Sequence, residues 1–449
     1  MSTIEKHDMT QGKILLPLVS FTILLVLGNL FQLTYNAADS VIVGKYVGEQ
    51  ALAAVGTSTP IMNIAILLIS GMCMGASVLM SSQYGAKDYD TLSRQISTTM
   101  LAGCGFSVVF SLLMLLLANP VLRLIRVPET AIPEAAAYLR IIFMGLIFTF
   151  MYNFLANTMR ALGDSKTPLY FLVTSAFLNI FGDLFFVVVL RWGVAGSAIA
   201  TVCSEGLCCL LCGIYIKKKI PLLCLGKKWW VFDKSLLGKT VSYGSTSAMQ
   251  QVCLQLGKLI IQSVVNTQGV AVMAAFTAVN RVDDFAYTPQ QNIGHAMTTF
   301  LAQNKGAGHK ERMKKGFQTG LLIELVYSIG LFCVIWGLAP QIMTLFAEDG
   351  DAQVVSLGIS YLHLISWMYI LPGLTNGVQG FFRGIGDLKV TLYSTFMNMF
   401  GRVVAVFVMI RLLQMEFASL AWANMVGWIV MLLFEVPLLV KSMRNGECG

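Results

Sequence analysis

Residues 14–38 read ILLPLVSFTILLVLGNLFQLTYNAA, and this uncharged run decides the fold class. A helix crosses the hydrocarbon core of a bilayer with about 20 apolar residues, so the run is long enough to span a membrane. It follows a polar leader, residues 2–13, contains Pro17 and lacks a convincing signal-peptide cleavage site. We therefore expect a retained transmembrane helix.

Similar runs recur along the whole chain. Its 449 residues are 56% hydrophobic and only 12% charged, with a mean hydropathy of +0.72, which lies outside the range of soluble proteins. The runs lie near residues 14–38, 50–80, 96–118, 136–158, 168–190, 194–216, 240–265, 271–301, 317–339, 356–380, 390–411 and 419–440. The sequence therefore predicts an all-α polytopic membrane protein with twelve transmembrane helices.

Basic residues are concentrated on one side of these spans. Of the 31 Lys and Arg residues, four lie within spans, 22 lie on one side and five on the other, namely Lys45, Arg123, Arg126, Arg191 and Arg411. Because Lys and Arg accumulate in cytoplasmic loops, we expect both termini to be cytoplasmic in the plasma membrane, or in the inner membrane of a Gram-negative cell. This pattern explains the net charge of +8, which implies no nucleic-acid partner.

The two halves of the chain resemble each other, as expected of an internal repeat. The matching elements are Ala53-Ala54 with Ala274-Ala275, Gly85-Ala86 with Gly306-Ala307, and Arg160-x-x-Gly163-Asp164-x-Lys166 with Arg383-x-x-Gly386-Asp387-x-Lys389. The repeat predicts two pseudo-symmetric six-helix lobes, residues 1–216 and 240–449, joined by a basic cytoplasmic linker, residues 217–239. In transporters, parallel repeats of this kind enclose the substrate path.

Two carboxylates, Asp39 and Asp183, lie inside apolar runs with no basic residue beside them. An acid at the centre of a spanning helix costs roughly 2.5–3.5 kcal/mol on insertion scales, so such groups usually face an internal cavity and handle ions, protons or substrate. Carried through the repeat, Asp39 corresponds to Ile260 and Asp183 to Val406, so the acid pair exists only in the first lobe. Two nearby carboxylates repel in a low dielectric. We therefore expect one of them to hold a proton, unless a cation such as Na⁺ binds between them.

Four helices of the first lobe carry polar residues at helical spacing, each set on one face. The sets are Gln32, Asn36 and Asp39; Asn153 and Asn157; Asn179 and Asp183; and Thr201 and Glu205. Amides and hydroxyls also join membrane helices by structural hydrogen bonds, and for the amides both interpretations stand. Packing does not need two unpaired acids. We therefore expect a cation- or proton-coupling site composed of Asp39, Asp183, Asn157, Asn179 and Thr201.

In order and spacing, these motifs resemble those of the multidrug and toxic compound extrusion (MATE) family over essentially the whole chain. They are YNAADSVIVG at 35–44, Gln83-Tyr-Gly85-Ala86, Gln303-Asn304-Lys-Gly306-Ala307, the two Arg-x-x-Gly-Asp-x-Lys turns, and Asn179 with Asp183. The resemblance implies an H⁺- or Na⁺-coupled antiporter that exports amphipathic, often cationic drugs or toxic compounds by alternating access between two lobes. It implies no enzymatic activity, no cofactor beyond the coupling ion and no structural metal. We expect a monomer in the lipid bilayer that takes small-molecule substrates.

The second lobe holds other intramembrane charges, namely Lys258, Arg281, Asp283, Asp284, Glu324, Arg402 and Glu435. Opposite signs lie close together there, so the sequence allows both a structural ion-pair network and contact with substrate. Some MATE branches place cation-binding carboxylates in the seventh and tenth helices, where this chain has Gln250, Gln251, Asn376 and Gln379; this favours the first-lobe site. The expected substrate cavity comprises Gln32, Tyr35, Asn36, Asn153, Gln251, Asp283, Asp284 and Asn376.

Two other classes of membrane protein compete with this interpretation. A flippase for lipid-linked precursors shares the lobed architecture but needs a cationic cavity for pyrophosphate, which only Lys258, Arg281 and Arg402 support. A membrane-embedded transferase needs an Asp-rich metal motif or a nucleophile with a base, and the sequence shows neither. The clustered cysteines at 208, 209 and 212 lie in an apolar helix without a His or acid to complete a metal site, so we expect them to pack as small hydrophobes.

The charge asymmetry predicts the membrane topology. In a background with the ten native cysteines replaced, single cysteines near residues 227 and 310 should react with an impermeant maleimide only from the cytoplasmic side. A cysteine near residue 349 should react only from outside. Intact cells and inverted vesicles expose the two faces in turn. Labelling of all three positions from one face would contradict the two-lobe topology.

Overall fold

A computed structural model describes residues 8–125, 127–129, 131–220, 231–346, 352–413, 417 and 419–444. All regular structure in these ranges is helical, which confirms the predicted fold class. The α-helices are α1 Leu15–Tyr46, α2 Glu49–Gly85, α3 Tyr89–Leu124, α4 Ile132–Met144, α5 Leu146–Ala161, α6 Lys166–Asp183, α7 Gly193–Lys219, α8 Lys234–Val265, α9 Val270–Gly306, α10 Lys310–Phe346, α11 Ala352–Ser366, α12 Ile370–Ile385, α13 Leu388–Val406 and α14 Ser419–Arg444.

Two of the predicted spans are broken rather than continuous. α4 and α5 meet at Gly145 with a bend of 47°. α11 and α12 are joined by a 3₁₀ turn, Trp367–Tyr369. When each broken pair is counted as one span, the described helices form the twelve spans expected from the sequence.

The spans differ in how apolar they are. Within the described ranges, nine helices, or ten if the bent α4–α5 pair counts as one span, are long and apolar enough to cross a membrane. α8 and α9 are not among them: α8 carries Lys258 and many Ser, Thr and Gln residues, and α9 carries Arg281, Asp283 and Asp284. Many large apolar side chains face outward, as at Val109 and Leu116 of α3, which are 67% and 78% exposed. An outward apolar surface of this kind suits a lipid environment.

The repeated Arg-x-x-Gly-Asp-x-Lys motif is a helix-ending turn in both halves. Gly163 and Gly386 adopt the left-handed region, with φ of +88° and +85°, which glycine enters without the cost of a Cβ. The following Asp164 N–H donates to the Met159 carbonyl, and Asp387 N–H donates to the Phe382 carbonyl, so both turns close in the same way. The motif therefore ends a helix with the same left-handed glycine turn in both halves.

The repeat also extends to an irregularity inside the spans. α6 continues into a π-helical turn, Leu184–Val189, and α13 continues into another, Phe407–Leu412. Asp183 directly precedes the first turn and Val406 directly precedes the second. The sequence alignment of these two positions is thus reproduced by the backbone, although only one half places a carboxylate there.

Contacts divide the chain into two compact units. Ile23–Ala248 belongs to the first unit, and Met9–Thr22 with the chain from Met249 onward belongs to the second. The lobe boundaries expected from the sequence, 1–216 and 240–449, stay a prediction. Compared with these boundaries, the first unit also contains the chain up to Ala248, and the second unit also contains Met9–Thr22. Residues 221–230 of the expected linker lie outside the described residues.

Hydrogen bonds tie both exchanged segments to their units. In the second unit, Arg312 donates to the carbonyls of Gln11 and Gly12 at 2.8 and 2.7 Å, and Gln303 Oε1 accepts from Met9 N at 3.2 Å. In the first unit, Gln95 Nε2 donates to Thr240 Oγ1 at 2.5 Å. Each exchanged segment is therefore hydrogen-bonded to the unit that contains it.

Asp233 helps to begin the segment exchanged into the first unit. Its Oδ1 accepts hydrogen bonds from the N–H groups of Ser235 and Leu236 at 2.9 and 3.3 Å. Hydrogen bonding by Ser235 lowers the pKa of Asp233, because these donors favour the ionised form. A charged cap of this kind satisfies free N–H groups at the start of α8.

Glycines at four-residue spacing let helices approach closely. A Cβ at Gly75 of α2 would overlap the Tyr243 carbonyl of α8, and one at Gly71 would lie 2.6 Å from Ala248 Cα. In the second unit, a Cβ at Gly380 of α12 would lie 2.7 Å from the Gly294 carbonyl oxygen of α9. The main chains therefore touch at these points, as small-residue spacing in membrane helices allows.

Gly75→Ala should destabilise the protein, because the added methyl group meets a main-chain carbonyl that cannot rotate away. Overpacking of this kind costs typically 1–3 kcal/mol. Gly105→Ala in α3 is the matched control, since nothing lies within 4 Å of its Cβ position. Thermal unfolding of detergent-purified protein checks both variants. Equal stability of Gly75→Ala and Gly105→Ala would show that α2 and α8 can separate without cost.

Candidate functional site

The two predicted acids meet at the junction of α1, α6 and α7. Asp39 of α1 and Asp183 at the end of α6 lie within hydrogen-bonding reach of each other. Ser197 Oγ of α7 donates to Asp39 Oδ1 at 2.5 Å. Asp183 is 0% exposed, and neither of its carboxylate oxygens accepts a hydrogen bond from a described donor. The pair therefore has unmet capacity to accept a proton or a cation.

Close contact between α6 and α7 brings the other polar groups to the pair. Asn179 lies one turn before Asp183, and its Nδ2 donates to Thr201 Oγ1 of α7 at 3.1 Å. A Cβ at Gly182 would lie 2.9 Å from Ala200 Cβ, so small residues allow this approach. The structure thus groups four of the five residues expected at the coupling site, namely Asp39, Asp183, Asn179 and Thr201.

Asn157, the fifth expected residue, has a local role in the structure. It lies in α5, where its Nδ2 donates to the main-chain carbonyl of Asn153 at 2.9 Å. Asn153 in turn donates to the carbonyl of Thr149 at 2.8 Å. Both amides therefore spend a donor on their own helix, so neither of these two bonds joins α5 to another helix.

Ser197 and Glu205 lie on the same face of α7 as Thr201, at four-residue spacing, although the expected coupling set contained neither. The polar face predicted from the sequence included Glu205 but not Ser197, which the same helical periodicity could have found. Glu205 Oε2 accepts from Thr149 Oγ1 at 2.5 Å. Glu205 therefore adds a third carboxyl group to the same region of the unit.

The first-unit site lacks a basic counter-charge. Among the described residues, no Lys, Arg or His side chain forms an ion pair with Asp39, Asp183 or Glu205. Removing uncompensated carboxylates from water is costly, so such groups gain by binding a proton or a cation. The arrangement is therefore suited to reversible neutralisation.

The expected substrate residues of α1 lie next to the acid pair along the helix. Gln32 and Asn36 are exposed, whereas Tyr35 is only partly so. The first two turns before Asp39 therefore present polar and aromatic groups together, a combination that can contact an amphipathic molecule.

The expected substrate residues of the second unit fall into separate environments. Asp283 is buried and accepts hydrogen bonds from Tyr369 at 2.5 Å and Tyr361 at 3.2 Å. Asp284 is exposed and pairs with Lys258 at 3.3 Å. Gln251 is half-buried in α8, and Asn376 of α12 donates to the Pro372 carbonyl at 2.8 Å. The adjacent acids are thus satisfied in different ways, one by phenol hydroxyls and one by an ammonium group.

Comparison with known proteins gives a consistent result. The MatE family model matches residues 25–185 and again residues 247–409, once in each half of the chain. The probable multidrug resistance protein YpnP of Bacillus subtilis (strain 168) is 32% identical over 391 residues, 86% of each chain. The probable multidrug resistance protein NorM of Thermotoga maritima is 23% identical over 412 residues, 90% of this chain and 87% of its own. A solved outward-facing structure of a multidrug resistance MATE family transporter has a TM-score of 0.92 at 21% identity and covers 99% of each chain.

Asp183→Asn should leave the folded protein as stable as the parent or more stable, because it removes one of two repelling carboxyl groups. A repulsion between unit charges 4 Å apart is worth about 1 kcal/mol even in water, and the amide keeps the shape of the acid. Asn179→Leu is the contrasting variant, since it breaks the bond to Thr201 and should destabilise. Thermal unfolding at pH 8.5 checks both. A large loss of stability in Asp183→Asn alone would indicate that the acid is a structural group.

Proposed function

Because the chain belongs to the MATE family of multidrug efflux transporters, and so is not an enzyme, we propose that it is an antiporter driven by H⁺ or Na⁺ that binds its coupling ion at Asp39 and Asp183. The exported compounds are amphipathic and often cationic. The transporter works as a monomer in the plasma membrane with both termini cytoplasmic, and it needs no cofactor besides the coupling ion.

The observation that supports this proposal is the uncompensated acid pair. Two ionised carboxylates within hydrogen-bonding reach repel each other strongly in a low dielectric. When Asp39 is protonated, its O–H group can donate to a carboxylate oxygen of Asp183. Neither oxygen of Asp183 has another donor among the described residues. A bound Na⁺ would satisfy the same oxygens through its positive charge. The acid pair therefore binds one proton or one Na⁺ ion and releases it when the environment of the two carboxyl groups changes.

Binding of a proton or a cation at the acid pair can change how α1 packs against α6 and α7. Asp39 joins α1 to α7 through Ser197, and Asp183 lies where α6 gives way to its π-helical turn. Irregular turns of this kind occur frequently at functional sites, because one turn of helix can change its hydrogen bonding without unfolding the rest. The ion shifts the equilibrium between two conformations only by its difference in affinity for them. If the two carboxylates are close in one conformation and apart in the other, the acid pair binds the ion with different affinity in the two conformations.

The flippase alternative loses support at one of its three basic residues. Lys258 is paired with Asp284. A pyrophosphate group would have to compete with this carboxylate for the Lys258 ammonium group.

Coupling should fail in Asp39→Asn, because the amide cannot cycle between charged and neutral forms. Purified protein in liposomes should still bind a fluorescent cationic substrate, yet efflux driven by an imposed proton or sodium gradient should fall to the rate of protein-free liposomes. The two gradients are imposed separately, which identifies the coupling ion. Since both acids act as a unit, Asp39→Asn combined with Asp183→Asn should cost little more than either change alone.

Asp90→Asn is the control, because Asp90 is a carboxylate of α3 whose side chain is 85% exposed and pairs with Arg94. It should transport at the parental rate. Gradient-driven efflux at the parental rate in the folded Asp39→Asn, Asp183→Asn protein would falsify the coupling assignment. Asp283 of the second unit would then become the leading acid for coupling.

A further inference from the structure

The short segment before α1, residues 9–12, is held in the second unit by the side chain of Arg312. The guanidinium group donates to three main-chain carbonyls, those of Met9 at 3.1 Å, Gln11 at 2.8 Å and Gly12 at 2.7 Å. Its N–H donors lie in one rigid plane, which suits several acceptors at once. We call this contact between Arg312 and residues 9–12 the α1 anchor.

The segment is buried where it meets the second unit. Met9 and Thr10 are 3% and 6% exposed. The Met9 N–H donates to Gln303 Oε1 at 3.2 Å, and the Met9 carbonyl also accepts from Asn304 Nδ2 at 3.2 Å. These bonds, like those of the guanidinium group, go to main-chain atoms of the segment. The path of the chain is therefore what the second unit binds.

Phe300 supports the side chain of Arg312. The guanidinium carbon lies 5.4 Å from the centre of the Phe300 ring, and this ring is 0% exposed. A cation over the face of an aromatic ring is attracted to it, and a planar guanidinium group can stack on the ring as well. Arg312 is therefore held in position on one side while it bonds the segment on the other.

α1 belongs to both units. Its residues up to Thr22 lie in the second unit, and those from Ile23 onward, including Asp39, lie in the first. A helix rises about 1.5 Å per residue, so Asp39 lies about 36 Å along α1 from its first residue. A group that fixes the start of α1 in one unit therefore acts on a helix that carries an acid of the other.

α8 is shared between the units as well, and its start is docked in a similar manner. Just before α8, the Val231 N–H donates to Ser97 Oγ and the Asp233 N–H donates to Thr98 Oγ1, both at 3.1 Å. Ser97 and Thr98 belong to α3, which corresponds to α10 because each follows a Gly-Ala turn of the repeat. Both shared helices therefore begin with a main-chain segment docked on an equivalent helix, α8 through hydroxyl groups and α1 through a guanidinium group.

We propose that Arg312 is a positioning residue for export, because the α1 anchor makes the start of α1 follow the second unit while the length of α1 around Asp39 belongs to the first. Movement of the second unit is then transmitted along α1 toward the acid pair. The inference rests on the proposed alternating access, since an anchor affects export only if the units move. It does not depend on which ion drives export.

Maleimide labelling measures the α1 anchor without any transport. In purified protein whose native cysteines have been replaced, Thr10→Cys should react slowly with a water-soluble maleimide, because Thr10 is buried. Adding Arg312→Gln should raise the reaction rate about tenfold or more, the equilibrium effect of losing one hydrogen bond to a charged group. Gln11→Cys is the reference for access of the reagent, since Gln11 is exposed, and its rate should not change.

Export per folded molecule measures the positioning role. In liposomes with an imposed ion gradient, Arg312→Gln should lower the maximal rate of export of a fluorescent cation about tenfold, by the same loss of bonding, and leave its equilibrium affinity unchanged. Arg312→Lys should give an intermediate rate, because an ammonium group keeps the charge but lacks the planar set of donors. Lys315→Gln is the matched control, since Lys315 is an exposed basic residue of the same helix, and it should export at the parental rate.

Two results would overturn the proposal. Equal labelling of Thr10→Cys with and without Arg312→Gln would show that Arg312 does not hold the segment. Faster labelling with a parental maximal rate per folded molecule would show that the contact is only structural. If Arg312→Gln does not fold, Arg312→Lys is compared in both assays and the same two results decide. A parent protein that exports nothing would contradict the proposed function and the positioning role together, while labelling would still decide whether the α1 anchor exists.

Discussion

In a bilayer, every main-chain N–H and C=O group must find a partner within the protein, and this constraint shapes the chain more than any single contact. Long helices meet it along most of the sequence. Where a helix departs from regular geometry, side chains can add bonds to the main chain, as Gln290 and Ser328 do at the Tyr369 carbonyl after the 3₁₀ turn. The candidate coupling site also lies at such a departure, just before the π-helical turn that follows Asp183.

A symmetric backbone carries an asymmetric set of side chains. The glycine turns and the π-helical turns occur in both halves, yet Asp183 of the first half corresponds to Val406 of the second. The main chain thus gives two similar frames. The side chains distinguish them, since the first unit has the acids Asp39 and Asp183 where the second has Ile260 and Val406.

Features encoded by local pattern could be predicted from the sequence, and features set by tertiary contact could not. Hydropathy and spacing predict the spans, the repeat and the meeting of Asp39 with Asp183, because these follow from periodicity and burial cost. The 3₁₀ break at Trp367–Tyr369 escapes prediction, since its local sequence is as apolar as its neighbours and its bonding comes from other helices. The sequence left Glu324 open between an ion-pair network and substrate contact, because charge counting along a sequence does not show which side chains meet; none of the ion pairs among the described residues includes it.

The exchanged segments have a consequence for how the protein is made. Met9 bonds to Gln303, a partner 294 residues further along the chain. Ribosomes add about 5–20 residues per second, so the start of α1 waits on the order of 15–60 s before its docking surface exists. During that interval its hydrogen bonds to Gln303 and Arg312 cannot form. Neither half of the chain encodes a complete unit, so the order of synthesis makes the second unit a product of the whole translation rather than of its own half.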